Sequence, residues 1–374
     1  MKLIRHSIYI CLSGIGLFIT FNRCAENTTP MKANRIVTLQ NERLQLRFDL
    51  TGGALTTLIL DEYGVNPYDW RIPSEKMPEN NRKGSPFQGH FFCSGRWGAP
   101  TPDEIKAGIP HNGEFANGDW TYEEKSKQNG IMYAEATIEK WKIEREINLS
   151  VADPVCRIDE TVTNLMPFAR HYVIVQHATF GGRFLNNQCK VHTNAGAGFN
   201  QALIKQPDWQ KYTYTFPRGI ADTSGNVFDL TLSDTPQSYV STHIVEDTTA
   251  WITIASPMHR LLVGYVWKQT DYPWVHIWHD TKNGTITAKG LEFGTTGLGD
   301  TFPMNENLCF TFKNTPNLFI VDANEKIVRS YYLFALLIPE TFQQVDQVIR
   351  TNDVIQIRIR TKEGETTNHI LQIP

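Results

Sequence analysis

The sequence predicts an all-β protein, a large sandwich of mostly antiparallel strands with few short helices, and three observations carry that reading. Apolar and polar residues alternate with period two along many short segments. Clusters of Gly, Pro, Asn and Asp separate those segments, and sustained helical periodicity is nearly absent. Leu44, Leu46, Phe48 and Leu50 share one face of a first strand, with Arg43, Gln45, Arg47 and Asp49 on the other, and Gly52-Gly53 ends it. The pattern returns with Trp141, Ile143, Ile147 and Leu149 against Lys140, Lys142, Glu144 and Glu146, and again with Ile355, Ile357 and Ile359 against Gln356, Arg358 and Arg360. Asn66-Pro67, Pro78-Glu79-Asn80-Asn81 and the run from Asp222 to Asn226 carry turn chemistry. The best candidate helix runs from Tyr331 to Arg350, interrupted by Pro339.

A chain of 374 residues with 41% hydrophobic content can bury a sizeable core, and sandwiches of this size fold as single domains, so residues 35–374 read as one domain. The break near Asn314-Thr315-Pro316-Asn317 is a loop inside it, because strand-like alternation resumes afterwards. No internal repeat is visible. Before the domain, Lys2, Arg5 and His6 precede an apolar run from Ile8 to Phe21, the charged and hydrophobic parts of an export signal over residues 1–23. The run is short for a membrane span. Residues 24–34 then form a polar tether. Cys24 stands where a bacterial lipoprotein would be acylated, but Phe21-Asn22-Arg23 lacks the small residues of that motif. Both a periplasmic protein and one anchored to the envelope by a lipid on Cys24 fit the pattern, and no other membrane contact is expected.

A formal net charge of -3 with scattered Lys and Arg leaves no footprint for nucleic acid. Of six cysteines, Cys11 and Cys24 fall in the export segment. Cys93, Cys156, Cys189 and Cys309 are widely spaced without a C-x-x-C pair, so they read as buried thiols rather than a zinc site. No metal and no cofactor are expected.

Three segments crowd polar, aromatic and glycine residues together where a plain strand would alternate. The first runs from Gly89 to Gly98 and on through Pro110-His111-Asn112-Gly113-Glu114 to Trp120. The second is Val175-Gln176-His177-Ala178-Thr179-Phe180-Gly181-Gly182. The third is His276-Ile277-Trp278-His279-Asp280, followed by Gly290-Leu291-Glu292-Phe293-Gly294. A carboxylate, imidazoles, an arginine and aromatic faces are the inventory that reversible proton transfer on a sugar needs. Glycines beside them let backbone approach a ligand. Trp97, Trp120, Trp274 and Trp278 read first as core, although tryptophan faces also stack on carbohydrate rings. Arg96 is equally able to pair with Asp103 or Glu104, and His276 and His279 have no further partners for a metal.

The order Gly-Arg, Pro-His-x-Gly, Trp, Gln-His, Trp and Gly-x-Glu resembles the aldose 1-epimerases and their relatives in the galactose mutarotase-like superfamily, over about residues 35 to 310. The strand leading into Gly52-Gly53-Ala54-Leu55 is similar to that family's opening strand. The resemblance implies a β-supersandwich that interconverts the anomers of a hexose. Glu292 would be the base that takes the anomeric hydroxyl proton, His177 the acid toward the ring oxygen, and His111 a second histidine on the substrate. Arg96, Trp120, Gln176 and Trp278 would bind the sugar. The chain departs from the pattern after His177, and the family's substrate-binding aspartate has three candidates, Asp222, Asp229 and Asp271. Two other functions compete: a non-catalytic carbohydrate-binding protein, and a glycoside hydrolase using Glu114 and Glu292 as paired carboxylates.

Overall fold

A computed structural model of the chain describes residues 35–61, 63–81, 86–299 and 310–374. The export signal, the tether, Cys11, Cys24 and Cys309 lie outside the described residues. Residues 35–374 form one compact unit.

Two antiparallel sheets face each other. The larger has ten strands, and its centre runs in the order His90–Ser94, Ile174–Phe180, Thr285–Gly294, Trp274–Lys282, Tyr239–Ile244. The second has eight strands, with Leu261–Lys268, Lys326–Leu337, Val155–Asn164 and Trp141–Leu149 in its middle. Because successive strand residues point to opposite faces, half of each central strand is directed into the sandwich. Ile174, Ala178, Phe180, Val275, Ile277, Leu291 and Phe293 from the first sheet meet Ile143, Ile147, Ile158, Val263, Trp267 and Leu333 from the second in one buried core. The alternating strands expected around residues 43–50, 141–149 and 355–359 are present as Leu44–Asp49, Trp141–Leu149 and Val354–Thr361.

The helix expected between Tyr331 and Arg350 is instead two strands, Lys326–Leu337 and Phe342–Arg350, with Pro339 in the turn between them. Tyr331, Leu333 and Ala335 enter the main core, whereas Tyr332, Phe334 and Leu336 enter a second core on the outer side of the eight-stranded sheet. A strand buried on both faces reads as a continuous apolar run, and its period is lost. The second core is closed by a C-terminal meander, Phe342–Arg350, Val354–Thr361 and Thr366–Gln372. Among the described residues the one α-helix is Pro102–Lys106, started by a capping box between Thr101 and Glu104.

A polar chain crosses the main core. Arg145 pairs with Glu160 at 2.8 Å, Gln176 Nε2 donates to Glu160 at 2.6 Å, and Gln176 Oε1 lies 3.2 Å from His90 Nε2. Gln176, expected on the sugar, is therefore fully buried between the sheets. Its neighbour His177 faces the other way, as adjacent strand residues must. Trp120 is a core residue too: its Nε1 donates to the Phe115 carbonyl at 3.0 Å and the Arg145 guanidinium lies 4.7 Å from its ring. Cys93, Cys156 and Cys189 are buried free thiols.

Candidate functional site

The outer face of the ten-stranded sheet holds a row of side chains set by register alone. Phe91 is opposite His177, His177 opposite Glu292, Glu292 opposite His276, and His276 opposite Thr242, across five adjacent strands. Side chains directly opposite one another lie about 5 Å apart at Cβ, so the row puts a carboxyl between two imidazoles. His177 Nε2 is 3.2 Å from Glu292 Oε1, and the Trp97 indole N–H donates to Glu292 Oε2 at 2.9 Å. Gly290 lies two residues before Glu292 on the same face, where a Cβ would come 2.8 Å from Glu292 Oε1 and 3.0 Å from Trp278 Cβ. The Gly-x-Glu spacing thus leaves room for the carboxyl to lie along its own strand.

His177 is held on three sides. Phe91 stacks on it with ring centroids 4.2 Å apart, Trp278 meets it edge-on at 5.7 Å, and its Nδ1 is 2.9 Å from Thr179 Oγ1. His276, on the other side of Glu292, packs against Trp97 at 4.1 Å and hydrogen-bonds Thr242 Oγ1 at 3.0 Å through Nδ1. Gln201 Nε2 donates onward to Thr242 Oγ1 at 2.8 Å.

His111 comes from a loop above this floor. Asn81 takes both backbone groups of His111: its Oδ1 accepts from the N–H at 3.0 Å and its Nδ2 donates to the carbonyl at 3.1 Å. Asn112 Oδ1 accepts from the Gly98 N–H at 2.7 Å, tying this loop to the Trp97 loop. Gly113 closes the Pro-His-x-Gly turn at φ 79, and a Cβ there would sit 1.9 Å from the Ser94 carbonyl oxygen. The His111 ring rests against Phe87 at 5.7 Å.

Together these groups line a hollow of about 480 Å³ whose walls are Trp70, Phe87, Phe91, Trp97 and Trp278, and whose polar groups are Lys76, His111, Asn112, His177, Gln201 and Glu292. That volume falls in the ~300–1,000 Å³ range of small-molecule sites. The structure brings together His111, His177, Glu292 and Trp278, and leaves out Arg96, Trp120 and Gln176. The Arg96 guanidinium instead donates to the Ala99 carbonyl at 2.8 Å and faces Glu104 at 3.6 Å, bracing the loop to the short helix. Glu114 does not line the hollow either. Its carboxylate accepts from the backbone N–H groups of Ile138 and Glu139, the former at 2.9 Å and the latter at 2.6 Å, which removes it from a two-carboxylate pair with Glu292. Asp222 and Asp229 serve their own turns and Asp271 faces Arg329, so none of the three contributes to the hollow.

Trp97, Gln201 and Asn112 are site residues that sequence reasoning did not assign. Trp97 stood in the crowded segment as a core candidate, and Gln201 carries no local signal, since it reaches the hollow from the loop after the Ala197–Asn200 strand.

Electrostatically, the floor holds few charges. Burial pushes the Glu292 carboxyl well above its usual range, with the Trp97 hydrogen bond pulling less strongly the other way. Burial, together with repulsion from His111, pushes His177 down to about 3. His276 is likewise pushed down to about 3, mainly by burial. Burial thus disfavours the charged form of both groups, biasing the Glu292 carboxyl and the His177 imidazole 3.2 Å from it toward their neutral states. Such a pair can give one proton and take another in the same event. Among the described residues no group of three or more His, Cys, Asp or Glu side chains is placed to hold a metal ion.

No family model matches the chain, and no curated protein matches it in sequence. Solved structures do match. A galactose mutarotase related enzyme from Lactobacillus acidophilus aligns with TM-score 0.57 at 11% identity, covering 81% of this chain and 98% of that one. A galactose mutarotase-like protein from Lactobacillus casei aligns with TM-score 0.55 at 16% identity, covering 80% and 100%. Another from Clostridium acetobutylicum gives 0.55 at 13% identity, covering 81% and 95%. With two facing antiparallel sheets and whole solved chains superposed at low identity, this chain has the fold of the galactose mutarotase-like proteins.

Proposed function

We propose that the protein interconverts the anomers of an aldose in this hollow. The observation that supports the reading above the others is the contact of a buried carboxyl and a buried imidazole, 3.2 Å apart, on the floor of a ring-sized, aromatic-walled cavity. In the ring-opening step Glu292 takes the O1 proton while His177 supplies a proton to the ring oxygen. The C1–O5 bond breaks as the C1=O1 double bond forms. Rotation about C1–C2 and reversal of both transfers give the other anomer. In the neutral pair that burial favours, one proton has to cross from the carboxyl to the imidazole before ring opening. His111 and Gln201 stand at the wall to receive sugar hydroxyls, and the tryptophan faces to receive the ring.

A second reading, carbohydrate binding without catalysis, draws support from the mostly apolar walls and from the lack of any Asp among the described residues lining the hollow. One experiment separates the two. Polarimetry of freshly dissolved aldoses should show accelerated mutarotation with the wild-type protein, and Glu292→Gln should lower the rate by about 10²-fold or more, the usual range for losing a positioned proton-transfer group. No acceleration on any sugar of the panel, or equal rates for wild type and variant, would defeat the catalytic reading.

A further inference from the structure

On the opposite side of the molecule, a recess of about 230 Å³ opens where the outer face of the eight-stranded sheet emerges from under the C-terminal meander. Arg157 and Tyr332, cross-strand partners, come from the sheet, as do Ser330 and Lys268, while Arg350 comes from the end of the first meander strand. The two guanidinium groups lie 5.9 Å and 5.4 Å from the centroid of the same Tyr332 ring. Arg157 gives Nε and Nη2 to Asp159, at 3.1 Å and 2.9 Å, which leaves its Nη1 uncommitted to that carboxylate. Asp271 faces Arg329 at 3.7 Å. Among the described residues Lys268 and Arg350 form no ion pair, and Arg350 Nε is shielded from solvent without an acceptor.

The charge balance of the recess is lopsided. Arg157, Lys268 and Arg350 line it with a single carboxylate, Asp271, while Asp159 and Glu146 act on Arg157 and Arg329 on Asp271 from outside the lining, on a chain whose formal net charge is -3. A buried guanidinium N–H without an acceptor is costly, and like charges gathered over one ring repel, so the protein alone does not complete this arrangement. A dianion with several acceptor oxygens would complete it.

We propose that this recess is a second binding site, specific for a tetrahedral oxyanion of the sulfate or phosphate type, held by Arg350, Lys268 and the free edge of Arg157. Lys268 and Arg350 also border a second recess with Thr249, Gln269 and Glu246, where a neutral polar group esterified to the anion has hydroxyl, amide and carboxylate partners.

Isothermal titration of the full chain with inorganic sulfate and, separately, inorganic phosphate tests this, with ionic strength held constant by chloride. Saturable binding of at least one of the two is expected, and the ratio of the two affinities tells a sulfate-type from a phosphate-type ligand. Arg350→Met and Lys268→Met should each weaken binding about tenfold or more, whereas Arg350→Lys, which keeps the charge, should weaken it less and controls for loss of fold. Failure of both anions to saturate the wild type would overturn the proposal, as would undiminished binding in both Met variants. Loss of binding in Glu292→Gln would also overturn it, by assigning the anion to the other sheet's hollow.

Discussion

Acidification should unfold this protein steeply, and the slope can be worked out residue by residue. Burial holds six imidazoles far below their ordinary value of 6.5, His90, His177 and His276 at about 3 and His192, His243 and His279 at about 4, and lowers His171 and His369 as well. Below pH 6.5 the unfolded chain takes up a proton on each of these rings while the native chain does not. Protons therefore favour unfolding, and stability present above pH 6.5 is lost as pH falls toward the folded values. Four carboxyls act in the opposite sense, Asp271 among them, raised chiefly by burial. Glu139 is pushed up to about 7, and Glu160 and Glu292 are raised, in each case chiefly by burial. Between about pH 7 and 4.5 native Glu139 holds a proton that the unfolded chain has released, and the other raised carboxyls act in the same sense, so stability is gained as pH falls.

Six rings against at most four carboxyls leave at least about two protons taken up on unfolding, and at ~1.4 kcal/mol per proton per pH unit stability falls by at least ~3 kcal/mol per pH unit. Below pH 4.5 the carboxyls no longer offset the rings and the slope rises to ~8 kcal/mol per pH unit. A domain of ordinary stability, ~5–15 kcal/mol, is exhausted by about pH 4. Urea melts at half-unit steps from pH 7 to 4.5 measure the slope directly. His276→Gln, which keeps a neutral polar group, should reduce it by about one proton. A stability unchanged within ~1 kcal/mol between pH 6.5 and 5 would refute the burial argument for these rings, and with it the neutral state assigned to His177.

Three further outcomes follow from contacts in and around the hollow. Trp97→Phe removes the N–H that donates to Glu292 at 2.9 Å and so raises the Glu292 pKa further. With a bond of this kind contributing ~1.5–3 kcal/mol, the base limb of the pH–rate profile should move up by about one to two units, read by polarimetry across pH. Gly290→Ala puts a methyl 2.8 Å from the Glu292 carboxyl, and a fall in mutarotation of tenfold or more is expected at near wild-type thermal stability, checked by calorimetry alongside the rate. Removing residues 340–374 uncovers Trp251, Leu262, Val266 and Phe334 on the outer face of the eight-stranded sheet, so the truncated chain should bind a hydrophobic dye and aggregate, as followed by fluorescence and light scattering.

Strands on the half-buried parts of both sheets are legible in the sequence because the pleat has a period of two, and one wet face keeps that period visible at Leu44–Asp49, Trp141–Leu149 and Val354–Thr361. Lys326–Leu337 is illegible for the converse reason: with two cores pressing on it, both faces are apolar. The Gln-His and Gly-x-Glu segments advertise His177 and Glu292 through their composition. The pleat rule also separates Gln176 from His177, since neighbours in a strand cannot share a face, so Gln176 was excludable from sequence once His177 was assigned outward.

What the chain order could not supply is which strand lies beside which. Strand neighbours are chosen by packing of the whole sandwich, and only that choice sets Phe91, His177, Glu292, His276 and Thr242 in one row. The same choice sends Trp120 into the core, turns Arg96 toward Glu104, gives Glu114 to a backbone turn, and brings Trp97 and Gln201 from distant loops to the carboxyl and its neighbours. Local pattern determines which residues a strand can present. The burial that shifts Glu292 and His177 toward their neutral forms belongs to the assembled sheets, because desolvation is a property of everything packed around a group and not of the segment that carries it.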